Sequence, residues 1–212
     1  MKTEAERREI KRKMAKSQLE LKHTQDCRLL PDRLHMLDLM PKDARVAEIG
    51  VAFGEFSKEI FHRCAPKKFL LIDSWGSERY QEGFESIQNQ FKYEIGRNRV
   101  EILRGLSTTV LSGLSAGAFD WAYIDTNHTY DTTLQELILC EKIVGDKGRI
   151  SGHDFCTGNV IGAIPYGVVE AVTRFCKEHG WKFEYLTVES HGHFSFCLKK
   201  LETGNSTPQL RV

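Results

Sequence analysis

The sequence predicts an α/β fold built on a mostly parallel sheet, with helices on both faces and an antiparallel hairpin at its end. Short apolar runs that suit strands buried on both faces alternate with helix-like segments along most of the chain. Near the end this alternation stops. Two strand-like runs, Trp181–Val188 and His193–Leu198, are separated by only four residues, the spacing of a hairpin.

Five further strands are predicted before the hairpin, from runs rich in Val, Ile, Phe and Tyr. Because strands and helices alternate, the strands are expected to be parallel, joined by right-handed crossovers. The predicted strands are Val46–Ile49, Phe69–Ile72, Val100–Leu103, Phe119–Ile124 and Arg149–Ile150. The predicted helices are Gly54–Cys64, Tyr80–Tyr93, Ser107–Leu114, Tyr130–Val144 and Tyr166–His179.

A chain of 212 residues is long enough for one α/β domain with a sizeable core. We expect that domain at 31–200, after a charged N-terminal helical arm at 1–30 and before a flexible tail at 201–212. The first 22 residues hold eight Lys or Arg and four Glu. This predicts a solvated helix that docks on a partner subunit, in a homo-oligomer. A nucleic-acid arm is the alternative, although no aromatic residue interleaves the charges.

The composition argues against several classes of protein. A net charge of +1 does not suit a nucleic-acid binder. No run of about 18 apolar residues indicates a membrane span, and the charged N-terminus does not resemble a secretory signal. The six cysteines are scattered, without a C-x-x-C pair, which favours reduced thiols and a cytoplasmic location.

A glycine-rich turn follows the first predicted strand, in Glu48-Ile49-Gly50-Val51-Ala52-Phe53-Gly54. Glycine suits a turn whose backbone approaches a ligand, and a helix starting at Gly54 would point free N–H groups at it. Dinucleotide sites use G-x-G-x-x-G for pyrophosphate, whereas here Ala52 takes the middle position and Glu48 adds an acid. The acid suits a cationic ligand such as S-adenosylmethionine. An ordinary strand-to-helix turn is the alternative.

Asp73 follows the second predicted strand, 19 residues after Gly54. An acid at this offset can accept hydrogen bonds from the two ribose hydroxyls of a nucleotide. An acid at this position does not distinguish an adenosyl ligand from NAD. A helix-capping or turn-forming role for Asp73 is the alternative.

Taken together, these motifs resemble those of class I S-adenosylmethionine-dependent methyltransferases over about residues 34–200. Glu48-Ile49-Gly50-x-x-x-Gly54 resembles their first motif and Leu71-Ile72-Asp73-x-Trp75 their second. Two later stretches resemble a branch of O-methyltransferases that act on sugars and glycosylated natural products. They are Phe119-Asp120-x-x-Tyr123-Ile124-Asp125-x-x-His128-x-Tyr130 and Gly148-x-Ile150-x-Gly152-His153-Asp154.

The resemblance implies a Rossmann-like, seven-stranded methyltransferase sheet and a set of cofactor-binding residues. Ser107 falls where the family contacts adenine, and Asp125 falls at the boundary between cofactor and substrate. Thr126 replaces the family's usual Gly, which puts the shape of that loop in question. The implied cofactor-binding residues are Glu48, Gly50, Ala52, Gly54, Asp73, Ser107 and Asp125.

Two carboxylates and two imidazoles are expected at the carboxyl ends of the fourth and fifth strands, where ligands of open α/β sheets bind. Asp125 and Asp154 are hard oxygen ligands suited to Mg²⁺. His128, with His153 as a rival, is the candidate base that removes a proton from a hydroxyl acceptor. The alternatives are structural: His128 would cap the helix at Tyr130, His153 would orient its loop, and Asp154 would form a turn.

The sequence therefore predicts an O-methyltransferase for a sugar, glycoside or other small hydroxylated metabolite. An NAD-linked oxidoreductase is the second hypothesis, weakened by Ala52, Glu48 and the terminal hairpin. The third is a catalytically silent methyltransferase fold that serves as a binding module. A nucleic-acid substrate is disfavoured because the N/D-P-P-Y type motif is absent.

Overall fold

The computed structural model describes residues 2–202, so most of the predicted tail at 201–212 lies outside the described residues. An eight-stranded sheet forms the centre of the fold. Its strands are β1 (Arg28–Leu30), β2 (Arg45–Ile49), β3 (Lys68–Asp73), β4 (Val100–Arg104), β5 (Trp121–Ile124), β6 (Arg149–Gly152), β9 (Trp181–Thr187) and β10 (Phe196–Lys200), with β7 (Gly158–Asn159) and β8 (Ile164–Pro165) forming a separate small hairpin.

The strand order is β1-β9-β10-β6-β5-β2-β3-β4. Strands β2 to β6 are parallel, and β10 runs antiparallel between β6 and β9. This confirms the predicted mostly parallel sheet with an antiparallel terminal hairpin. The difference is an eighth strand, β1, which pairs in parallel with β9 at the edge. Three residues are too few to reveal a strand period in the sequence.

Eight α-helices lie within residues 2–202, and six of them contribute buried residues to the two cores on the faces of the sheet. They are α1 (Glu4–Lys13), α2 (Arg33–Leu39), α3 (Glu55–Cys64), α4 (Gly83–Gln90), α5 (Lys92–Gly96), α6 (Ser107–Gly113), α7 (Tyr130–Val144) and α8 (Val168–His179). No helix in the described range is long and apolar enough to cross a membrane.

Side chains of β2 alternate between two hydrophobic cores, as the period of a strand requires. Ala47 and Ile49 pack in the core that contains residues of α6, α7 and α8. Val46 packs in the core that contains residues of α2, α3 and α4. Glu48 follows the alternation of Val46 and is therefore a carboxylate within an apolar layer.

The N-terminal arm differs from the expected one in extent. Its α-helix covers only Glu4–Lys13, a 3₁₀ turn follows at Leu21–His23, and β1 places Arg28–Leu30 in the central sheet. The boundary expected after residue 30 leaves β1 on the side of the arm, although β1 pairs with β9 of the central sheet.

Two other elements differ from the sequence expectation. The helix predicted at Tyr80–Tyr93 is interrupted at Phe91, between α4 and α5. The buried Phe91 ring packs edge-on against Phe61 and Phe69, so tertiary packing fixes this break. His193 lies in the loop before β10 rather than within the strand, which matters for the site described below.

Candidate cofactor and active site

A cleft of about 410 Å³ opens at the carboxyl ends of β2, β3 and β5, a size typical of small-molecule sites. Parallel strands place their following loops side by side at this edge. Six of the cofactor-binding residues predicted from sequence line the cleft, together with His128. Its lining comprises Arg33, Glu48, Gly50, Val51, Ala52, Glu55, Phe56, Ile72, Asp73, Ser74, Tyr80, Leu106, Ser107, Asp125, Thr126, Asn127 and His128; Gly54 caps α3 just behind it.

The glycine-rich turn adopts left-handed backbone angles at three positions. Gly50 has φ 89°, Ala52 has φ 51° and Gly54 has φ 85°. A Cβ atom on Gly50 would lie 1.9 Å from the carbonyl oxygen of Asp125. Glycine is therefore required at position 50 both by the backbone angle and by the close approach of the β5 loop.

Asp73 holds the glycine-rich turn in place. Its Oδ2 atom accepts hydrogen bonds from the backbone N–H groups of Val51 (2.8 Å) and Ala52 (3.0 Å), and Oδ1 accepts one from Trp75 (2.8 Å). A carboxylate accepts about four hydrogen bonds, so capacity for a ribose hydroxyl remains. The ribose role of Asp73 stays a prediction from sequence, and this structural role was not predicted.

Glu48 is a buried carboxylate without a full set of partners. It is 1% exposed, and its Oε2 atom has no hydrogen-bond partner. Burial raises the pKa of Glu48 to about 8. An unpartnered carboxylate oxygen in a cleft suits a ligand that brings a positive charge or N–H donors, because such a group would offset the cost of burial.

The neighbourhood of Ser107 contains a second buried carboxylate, which sequence reasoning missed. Thr126 Oγ1 donates a hydrogen bond of 2.8 Å to Glu136 Oε2, and Glu136 Oε1 has no partner. Burial raises the pKa of Glu136 to about 7. The replacement of the family's usual Gly by Thr126 therefore has a structural consequence: the hydroxyl partners a carboxylate on α7. Glu136 on the inner face of a predicted helix was the available signal.

The loops after β5 and β6 bring the predicted acids and imidazoles together. His128 Nε2 lies 3.1 Å from Asp154 Oδ2. His153 Nδ1 lies 3.5 Å from Asp154 Oδ2 and 3.8 Å from Asp125 Oδ2. His128 lines the cleft, whereas His153 and Asp154 stand behind it.

Opposing effects act on the two carboxylates of this cluster. Burial raises the pKa of Asp125, although His153 and His128 oppose the shift. Burial also acts to raise the pKa of Asp154, but the surrounding imidazoles outweigh it and hold that pKa well below its usual range. Asp154 is consequently ionised at neutral pH and can orient the rings around it.

Arg33 is a further member of the site that sequence reasoning missed. It begins α2, and its Nη1 atom lies 3.9 Å from Asp125 Oδ2. Its guanidinium also lies over the ring of Phe56, 4.4 Å from the centroid. No motif marks Arg33, because only the packing of α2 beside the β5 loop brings it to the cleft.

The candidate metal ligands Asp125 and Asp154 meet His128, and one donor atom from each lies within 4.8 Å of the others. Paired carboxylates match the preference of Mg²⁺ for oxygen ligands. The imidazoles that contact the same oxygens match transition metals better. The donor set therefore fits a divalent ion without favouring Mg²⁺.

Residues 21–155 match the protein family described as "Methyltransferase domain". The match covers more than half of the chain and includes the glycine-rich turn, Asp73 and the Asp125–Asp154 cluster. The chain belongs to this methyltransferase family. No curated protein sequence matches it.

Solved structures support the same fold for this methyltransferase. Cofactor-bound Rv0187 from MTB has a TM-score of 0.60 at 18% identity, over 93% of this chain and 88% of that one. SMU.1697c, a putative methyltransferase from Streptococcus mutans in complex with SAH, has a TM-score of 0.57 at 14% identity. The match covers 80% of this chain and 96% of SMU.1697c. The pyocyanin biosynthetic protein PhzM has a TM-score of 0.58 at 14% identity over 79% of this chain, which spans only 53% of PhzM.

The methyltransferase domain therefore has the fold of these structures, one of which holds SAH. Its own residues fit S-adenosylmethionine as the methyl donor: Glu48 offers an unpartnered buried oxygen to a cation, and the left-handed turn brings backbone close to the cleft. Family membership removes the NAD-linked oxidoreductase hypothesis. The acceptor is not identified by a shared fold.

Proposed function

We propose that the protein transfers the methyl group of S-adenosylmethionine to a hydroxyl of a sugar, glycoside or other small hydroxylated metabolite. The observation that carries this proposal is the pairing of His128, which lines the cleft, with the buried Asp154 behind it. An alcohol is a poor nucleophile while protonated, so its methylation needs a base at the cleft wall. A positioned imidazole backed by a carboxylate is such a base.

The cofactor would occupy the part of the cleft formed by the glycine-rich turn. In this proposal Glu48 faces the amino group, and Gly50, Ala52 and Gly54 form the turn around the methionine moiety. Asp73 accepts a ribose hydroxyl, and Ser107 lies at the adenine. When bound, S-adenosylmethionine supplies an activated methyl group on a sulfonium, so positioning provides much of the rate.

His128 would accept the proton of the acceptor hydroxyl. Its Nε2 atom faces Asp154, which leaves Nδ1 as the nitrogen available for the acceptor. His153 is the rival base, but it does not reach the lining of the cleft. The lining favours His128, and the His153 imidazole then lies between the two carboxylates.

Asp125 and Asp154 would hold a divalent ion, for which Mg²⁺ was the expectation from sequence. A divalent ion lowers the pKa of a hydroxyl that it binds, which makes deprotonation easier. One oxygen of Asp125 and one of Asp154 lie within 4.8 Å of each other, so the two carboxylates could share an ion while His128 stays free as the base. The carboxylates suit Mg²⁺, whereas the neighbouring imidazoles suit a transition metal, so both kinds of ion are tested below.

The N-terminal arm is proposed as the contact of a homo-oligomer. Lys11 Nζ lies 2.9 Å from the carbonyl oxygen of Tyr166 and 2.6 Å from Glu170 Oε1, which anchors α1 beside the site. Five other charged residues of α1 remain exposed for a second subunit: Glu4, Glu6, Arg8, Arg12 and Lys13. We also propose a cytoplasmic location, because all six cysteines are free thiols.

The test is methyl transfer from labelled S-adenosylmethionine to a panel of sugars, glycosides and small polyols, with a structured RNA as a competing class. We expect label in a hydroxylated small molecule, and calorimetry should detect binding of S-adenosylhomocysteine. If only the RNA became labelled, the proposal that the acceptor is a small hydroxylated molecule would be wrong. Cofactor binding with no transfer to any acceptor would instead favour the silent binding module.

A further inference from the structure

A second group of metal-ligating side chains lies on the far side of Asp154 from the cleft. It consists of Asp154, Cys156 and His193, and one donor atom from each lies within 4.8 Å of the others. Cys156 Sγ lies 3.7 Å from His193 Nδ1, and the same nitrogen contacts Asp154 Oδ1. Asp154 is buried, and the other two side chains are half-buried.

The two oxygens of Asp154 serve different groups. Oδ2 faces His128 and His153, which belong with Asp125. Oδ1 faces His193, which belongs with Cys156. The group of Asp154, Cys156 and His193 therefore shares Asp154 with the pair of aspartates expected to hold an ion at the acceptor, but uses the other oxygen of that carboxylate.

The central sheet fixes the geometry of this second group. In the antiparallel pairing of β6 with β10, Gly152 lies opposite Phe196. The pairing continues past the strand ends, because the backbone N–H of Phe155 donates to the carbonyl oxygen of Phe194 at 2.9 Å. Cys156 and His193 are the next residues on either side, so they are brought together by the fold rather than by mobile loops.

The backbone of Asp154 adopts a left-handed conformation. Asp154 has φ 56°, a left-handed angle that costs free energy for a residue other than glycine. Strained residues of this kind concentrate at ligand sites.

A thiol, an imidazole and a carboxylate form a donor set with a clear metal preference. Magnesium prefers oxygen ligands throughout, whereas zinc binds Cys sulfur, His nitrogen and Asp oxygen. We propose that Asp154, Cys156 and His193 form a zinc site. Three protein ligands leave the fourth tetrahedral position open, as in zinc sites that bind an exchangeable ligand.

Cobalt(II) replaces zinc in this test because a cobalt–thiolate bond absorbs in the near ultraviolet. The full-length protein, stripped by chelation, is titrated with Co²⁺ and then with Zn²⁺. We expect one equivalent of Co²⁺ to produce the thiolate band and Zn²⁺ to abolish it. Cys156→Ser should remove the band, and His193→Ala should weaken Co²⁺ binding more than about tenfold.

Matched controls are Cys27→Ser, which removes another half-buried thiol, and His62→Ala, which removes an exposed imidazole. Both should bind Co²⁺ like the wild type. Binding of S-adenosylhomocysteine reports that each variant is folded, and it is independent of the zinc site. The proposal is overturned if Cys156→Ser keeps the band, or if Asp125→Asn abolishes Co²⁺ binding while Cys156→Ser and His193→Ala do not.

Discussion

His128 Nε2 lies 3.1 Å from Asp154 Oδ2, and the two residues share left-handed backbone angles, φ 58° and φ 56°. Each belongs to a different loop, one after β5 and one after β6. The left-handed conformation is uncommon outside glycine, and at both residues it accompanies a contact between the two loops. An oriented imidazole at the wall of the cofactor cleft is the arrangement that general-base catalysis requires.

His128→Ala will lower the rate of methyl transfer by about 10²–10⁴-fold, because the acceptor hydroxyl loses its base. Binding of S-adenosylhomocysteine will not change. The measurement is kcat with the acceptor found in the panel, together with calorimetry. His153→Ala will have a smaller effect, since His153 stands behind the cleft, and His62→Ala will have none. A larger loss in His153→Ala than in His128→Ala would assign the base to His153.

Glu48→Gln will remove a pH dependence of stability and weaken cofactor binding. Burial, with Asp125 and Asp73 nearby, outweighs Arg33 and holds the pKa of Glu48 at about 8, above its ordinary 4.5. Between these two values native Glu48 binds a proton that the unfolded chain releases, so its contribution to the free energy of unfolding falls as pH rises. The amide of Gln does not titrate, so in Glu48→Gln the free energy of unfolding should lose the part of its fall with pH that Glu48 causes.

Urea unfolding at about pH 5 and about pH 8 measures the decline in the wild type and in Glu48→Gln. Glu101→Gln, at an exposed position of β4, is the matched control and should keep the wild-type profile. Calorimetry should show weaker binding of S-adenosylhomocysteine to Glu48→Gln alone. Equal pH profiles for the two proteins would contradict the burial argument.

Gly50→Ala will destabilise the fold and disrupt the cofactor cleft. The new Cβ would lie 1.9 Å from the Asp125 carbonyl oxygen, on a residue with φ 89°. We expect a loss of about 1–3 kcal/mol or more in the free energy of unfolding. Gly113→Ala, an exposed helical position with open space around the Cβ, should be neutral or stabilising by up to about 1 kcal/mol. Denaturant unfolding compares the two, and similar losses would refute the steric account.

Exhaustive chelation will reduce turnover if Asp125 and Asp154 hold an ion at the acceptor. Added Mg²⁺ or a transition ion should then restore turnover in the wild type and in Cys156→Ser. Asp125→Asn should not be restored, because it lacks one of the two carboxylates. Turnover that is unchanged by chelation would remove the metal from the reaction and leave the proton transfer to His128.

Much of the architecture could be predicted because strand and helix periods are local properties of the chain. The alternation of apolar runs indicated the parallel strands, and α7 has the predicted bounds Tyr130–Val144. The break at Phe91 could not be predicted, because it depends on contacts with Phe61 and Phe69 from other elements. The three-residue strand β1 likewise exists only through its pairing with β9.

By itself the sequence determined that the glycine-rich turn and Asp73 meet at one edge of the sheet, because they stand at the carboxyl ends of consecutive parallel strands. Only the tertiary structure decided which groups surround Asp154. Strand β10 enters the sheet between β6 and β9, and that insertion carries His193 to Cys156 across 37 residues of sequence. Long-range pairing of this kind leaves no local pattern, because the donors meet only after the sheet is complete.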